Sequence, residues 1–177
     1  NSKIKALFKA VSVQAVFLSS SYPDENLSYF TGLPKFVYSN HLLLKPAQLT
    51  LYSSILDFGA VKANIKNKRI KLQEIKKQKE FQELLNKELQ GVKKGGVNHE
   101  AGSLSGLKRL QKLFKGRKLV DISPQLFQLR ATKTKDEIKA LKKAVKLSEQ
   151  TLEELLPQIK PGKTEREIQF KLDSSII

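Results

Sequence analysis

The sequence predicts an α/β domain, a mixed β-sheet flanked by helices, followed by the first helices of a second domain. Three observations predict it. Apolar residues at helical spacing give way within a few positions to a short run of β-formers, as expected where helices and strands share one layered core. This alternation recurs as far as residue 122. From Ser123-Pro124 onward the pattern changes to long amphipathic segments with capping signals and no strand-like runs.

In chain order, Ile4, Leu7, Phe8 and Val11 share one helix face. Residues 14–18, an apolar run bounded by serines, read as a buried strand. Residues 20–25 read as a loop. Residues 26–32 form a short turn or helix closed by Gly32. Residues 37–44 and 49–53 read as two strands joined around Lys45-Pro46-Ala47. Residues 57–62 are expected to make one helical turn. Residues 65–72 are ambiguous, with a short alternating strand over 69–72 as one reading. Phe81, Leu84, Leu85 and Leu89 predict a helix ending near Gly91, and residues 95–98 read as a turn with or without a short strand. Ser103 starts a helix carrying Leu104, Leu107, Leu110, Leu113 and Phe114, which stops at Gly116; residues 118–122 read as a strand.

A domain boundary is expected at Ser123-Pro124, giving domains 1–123 and 124–177. Proline suits the first position of a helix, with Ser123 as its cap. Thr134 and Glu137 have the spacing of a capping box, and Ile138, Leu141, Val145, Ser148, Leu152 and Leu155 mark one face of a long helix ending before Pro157. Pro161-Gly162 reads as a turn. Thr164 and Glu167 repeat the capping-box spacing ahead of Ile168 and Leu172.

The chain has 177 residues, 40% of them hydrophobic, which supports a buried core and excludes wholesale disorder. No apolar run approaches the roughly 18–20 residues needed to span a bilayer. There is no cysteine, which excludes disulfides and thiolate metal sites. A cytoplasmic protein is expected. The lack of methionine and the apolar last residues, with no helix-ending signal, predict a piece of a longer protein. The net charge of +16 invites a nucleic-acid reading. The basic run over 62–79 is lysine-rich with few aromatics interleaved to stack bases, so a solvated surface is expected, with at most weak, non-specific nucleic-acid binding. The two histidines lie apart in sequence. His41 sits in an apolar strand run and His99 in a Gly/Asn turn, and both are expected to be structural or at the surface. No phosphate-binding glycine loop, nucleophile elbow or zinc helix is present.

Arg130 and Lys133, then Glu137-Ile138, Ala144 and the run from Pro161-Gly162 through Thr164 to Glu167 resemble the opening of the catalytic domain of prolidases, aminopeptidases P and creatinases. Residues 119–123 fit the strand before it. Asn26, Tyr29 and Gly32, with Leu51-Tyr52 farther on, are similar to that family's N-terminal-domain signature. The resemblance covers most of the chain, is specific in the combined spacing over 121–172, and is weak over 62–100.

The resemblance implies a creatinase/prolidase-like N-terminal domain followed by an incomplete "pita-bread" catalytic domain. It implies a metallopeptidase, a hydrolase acting as a Xaa-Pro dipeptidase or aminopeptidase on proline-containing peptides. Such an enzyme is expected to be a homodimer using two divalent metal ions (manganese, cobalt or zinc). The metal ligands implied are two aspartates, one histidine and two glutamates. None maps onto this chain: after Gly162 the only aspartate is Asp173 and no histidine follows. No catalytic, cofactor-binding or metal residue is therefore expected here, and the chain alone is expected to be inactive. Its role would be to restrict access and make oligomer contacts. The motif residues have structural readings: ion pairs near the domain junction for Arg130, Lys133 and Glu137, turn geometry for Pro161 and Gly162, a side-chain tether for Asn26 and a packed, hydrogen-bonded Tyr29. Two further readings stay open, a relative without peptidase activity (creatinase-like or a peptide- or chaperone-like binding module) and a basic nucleic-acid-binding domain.

Overall fold

The run at residues 14–18 becomes the central strand of a six-stranded sheet. The computed structural model describes residues 2–19, 25–33, 40–101 and 103–176. Most of the loop expected at 20–25 and the first residues of the strand expected at 37–44 lie outside them. Helix α1 (Ser2–Ala10) leads into β1 (Ala15–Ser19), and α2 (Glu25–Thr31) follows. Strands β2 (Asn40–Leu44) and β3 (Leu49–Ser54) form an antiparallel hairpin. Then come α3 (Ile55–Asn64), β4 (Ile70–Ile75), α4 (Gln78–Glu88) and β5 (Lys94–Val97). Helix α5 (Leu104–Leu113), β6 (Lys118–Asp121) and α6 (Ser123–Ala131) complete the sequence of elements around the sheet.

The strand order is β4-β3-β2-β1-β5-β6. Strand β2 runs antiparallel to β1 and β3, while the β3–β4, β1–β5 and β5–β6 pairs are parallel. The sheet is therefore mixed, as predicted. Successive side chains of a strand point to opposite faces. Val16 and Leu18 accordingly join one core with Leu7 of α1, Leu27 of α2, Val61 of α3 and Leu126 of α6. Ala15 and Phe17 join the opposite core with Phe81 and Leu85 of α4 and Phe114 beyond α5. Helices on both faces explain why the central strands read as unbroken apolar runs rather than alternating ones.

One element differs from the sequence reading, and two that it left open are strands. Helix α3 is ten residues long rather than one turn. Its cap is Ser54, whose Oγ accepts from the Asp57 N–H at 3.3 Å. The ambiguous stretch resolves as β4, which begins at Ile70 and extends to Ile75. At 95–98, read as a turn with or without a short strand, the strand is present as β5, lying between β1 and β6. Its glycines have a packing reason: a Cβ on Gly95 would fall 2.8 Å from Phe114 Cε1, and one on Gly96 3.0 Å from Ile122 Cδ1. Large side chains from the helix layers fill the space that strand residues would otherwise occupy.

The chain divides into two compact units, Asn1–Arg130 and Ala131–Ile177. In the second, α7 (Lys135–Leu155) carries the predicted capping box: Glu137 N–H donates to Thr134 Oγ1 at 3.2 Å and Thr134 N–H to Glu137 Oε2 at 2.6 Å. A 3₁₀ turn (Leu156–Gln158) follows, then α8 (Glu165–Ile176), which packs against α7. Lys163 N–H donates to Lys160 O at 3.2 Å around Pro161 and Gly162. Gly162 has φ of 90°, the left-handed third position that a turn with proline second requires. Within this unit Leu155 is buried, but Ile138, Leu141, Val145 and Leu152 are 44–55% exposed.

Candidate functional site

The sheet's connections change direction between β1 and β5. From β1 the chain builds outward through β2, β3 and β4, then crosses over to β5. Ligand crevices in α/β sheets form outside the carboxyl ends of strands at such a switch point. Here a cavity of about 660 Å³ opens at that place. Its floor holds Phe17, Ser19 and His41, and Ser54 and Ile75 contribute from the ends of β3 and β4. Asn98 and His99 follow β5, and the two side walls are α4 and α5.

Its rings are ordered. His41 stacks on Phe81 with centroids 4.7 Å apart and 19° between planes, and on Phe17 at 5.6 Å and 22°. Its Nδ1 lies 2.9 Å from Ser19 Oγ. Burial pushes the imidazole down to about 4, so His41 is neutral at physiological pH and too weak a base to activate the hydroxyl.

Beside the cavity, a polar knot ties the ends of β5 and β6. Buried Ser123 accepts from the His99 N–H at 2.9 Å, and its hydroxyl reaches Asn98 Oδ1 at 2.9 Å. Asp121 Oδ1 accepts the Ser123 N–H at 3.0 Å, so the acceptor at the start of α6 is Asp121 and not Ser123, which is itself the first residue of the helix. Partial burial alone would raise the Asp121 carboxyl. Hydrogen bonds from Ser123 and His99, with the charge of His99, outweigh it and hold the group below the usual carboxylate range. His99 Nδ1 lies 3.8 Å from Asp121 Oδ2. Ser123 bonds to the carboxylate rather than to the imidazole, so the three do not form a nucleophile–base–orienter relay. No three His, Asp or Glu side chains converge among the described residues, so they do not fit a two-metal centre.

The motif residues lie outside this cavity. Tyr29 accepts a hydrogen bond from Lys3 Nζ and packs edge-on to Phe30 at 5.6 Å. Asn26 is buried in α2, and Gly32 ends that helix with φ of 71°. Arg130 Nη1 donates to Glu25 Oε2 at 2.7 Å, bringing α6 to the start of α2. In the second unit Lys133 Nζ donates to Ala131 O at 3.2 Å. Thr164 N–H donates to Glu167 Oε2 at 2.9 Å. That bond first, then the Thr164 hydroxyl and Lys163, holds the Glu167 carboxyl below its ordinary value. Sequence reasoning missed the cavity. Its signal was present in Asn98-His99, which follow a strand partly hidden by the Gly95-Gly96 pair.

The chain belongs to the Creatinase/Prolidase N-terminal domain family, whose model matches residues 2–132. It is 25% identical over 178 residues to a Xaa-Pro dipeptidase of Pyrococcus horikoshii, a match covering 98% of this chain and 47% of that protein. Among solved structures it resembles an X-Pro aminopeptidase of Thermotoga maritima, with TM-score 0.80 and 23% identity over 97% of this chain and 48% of that one. It also resembles a Xaa-Pro dipeptidase of Bacillus anthracis, with TM-score 0.78 and 16% identity over 99% of this chain and 47% of that one. The chain thus spans about half the length of these three relatives. No helix among the described residues is long and apolar enough to cross a membrane.

Proposed function

We propose that this chain is the N-terminal portion of a cytoplasmic, homodimeric Xaa-Pro dipeptidase or Xaa-Pro aminopeptidase, whose full-length form hydrolyses proline-containing peptides with two divalent metal ions. In this reading residues 1–123 restrict access and make oligomer contacts. Residues 124–177 are the linker and opening helices of the catalytic domain, with α6 as the connecting helix. The motif residues from Asn26 to Glu167 hold turns, caps and ion pairs rather than substrate. The observation that carries the reading is the match along nearly the whole chain to about half of a Xaa-Pro dipeptidase. The exposed apolar side chains of α7 agree with further structure packing there.

The test is to express the full-length protein and assay Xaa-Pro dipeptides and longer Xaa-Pro peptides with manganese, cobalt or zinc, and to measure its mass in solution. Metal-dependent release of the residue before proline is expected, from a dimer. A full-length protein that stays inactive with every metal would remove the peptidase reading and favour a non-peptidase relative.

A further inference from the structure

Helix α5 has a strongly one-sided apolar pattern, yet none of its residues is fully buried. Leu107, Leu110 and Leu113 are only half-buried: all three line the cavity, and Leu110 and Leu113 also pack against the core around Phe81 and Phe114. Across from them stands the aromatic wall of Phe17, His41 and Phe81. A packed interior leaves few voids larger than a water, because wall atoms facing empty space lose their dispersion contacts. A cavity of about 660 Å³ falls within the roughly 300–1,000 Å³ of small-molecule sites.

The acidic group nearest the cavity, Asp121, pairs with His99 behind the lining rather than within it. Arg109 and Lys112, both exposed on α5, line the cavity, and no Asp or Glu does so among the described residues. Ser19, Asn98, Gln78, Gln82 and neutral His41 add uncharged polar groups to the lining. We infer that this cavity binds a small molecule with a flat apolar body and one anionic group, the body against Phe81, His41 and the α5 leucines and the anion at Arg109 and Lys112. This inference concerns the domain itself and stands or falls independently of peptidase activity.

Calorimetric titration of the 177-residue chain with 2-naphthoate, 2-naphthyl phosphate and cationic 2-naphthylmethylamine tests it. At least one of the two anions should bind one-to-one with submillimolar affinity, and the amine at least about tenfold more weakly. Leu107→Trp, which sets an indole into the space the flat body would take, should weaken anion binding about tenfold or more. The double variant Arg109→Glu/Lys112→Glu changes only exposed residues, so it tests the charge without disturbing the core. It should weaken the anion about tenfold or more. Failure of both anions to saturate by about 5 mM, equal binding of the amine, or undiminished affinity in the charge-reversed variant would overturn the inference.

Discussion

The imidazole of His41 lies flat on the ring of Phe81, 4.7 Å between centroids, and burial there holds it neutral down to about pH 4. In the unfolded chain the same group titrates near 6.5. Between these values the unfolded chain binds the extra proton, so the contribution is complete above pH 6.5, is lost progressively as pH falls below 6.5, and is gone by about pH 4. Denaturant unfolding at pH 7 and pH 5 should show about 2 kcal/mol of this loss, and His41→Phe should remove that share of the pH dependence. An unchanged difference between the two pH values in the variant would contradict it.

Gly95→Ala should destabilise the first unit by about 1–3 kcal/mol, because the new methyl group meets Phe114 at 2.8 Å inside a packed core. Thermal unfolding compares it with Gly59→Ala, whose new Cβ meets nothing within 4 Å. The control should be neutral or slightly stabilising, since alanine suits a helix better than glycine. Equal effects at the two positions would refute the packing explanation.

Thr134→Ala removes half of the capping box at the start of α7. The expected cost is about 1 kcal/mol, confined to the first turns of that helix. Amide hydrogen exchange over residues 135–139 should accelerate several-fold while the sheet amides of the first unit stay unchanged.

The 177-residue chain by itself should not hydrolyse Xaa-Pro peptides, with or without added manganese, cobalt or zinc, because the described residues do not form a metal-binding cluster. Turnover by the purified chain, absent from a mock preparation, would count against this.

Binding to DNA or RNA should be weak, insensitive to sequence and steeply salt-dependent, because the positive charge is distributed over separate elements. Submicromolar, sequence-selective binding at about 150 mM salt would overturn the expectation.

Strong local signals made much of the fold legible. Helix α1, strand β1, the β2–β3 hairpin, α4, α5 and β6 each have period, β-formers or a Gly/Pro boundary. The capping boxes at Thr134 and Thr164 could be read residue by residue. Strand β5 was obscured because a packing demand from Phe114 and Ile122 selects glycine, the residue that otherwise signals a turn. The cavity was illegible for a related reason. Its walls come from β1, β2, α4 and α5, and the leucines that face an opening have the same spacing as leucines that face a core. Only the sheet order distinguishes the two.

That order also bears on how the molecule assembles. Strands β2 and β3 are joined by a short turn and can zip up within microseconds. The β1–β5 seam is different: Gln14 Oε1 accepts from the Lys94 N–H, 80 positions along the chain. Closing so long a loop costs entropy before any contact repays it. The seam therefore forms late in folding, and until it does the inner edge of β1 stands open to pair with another chain.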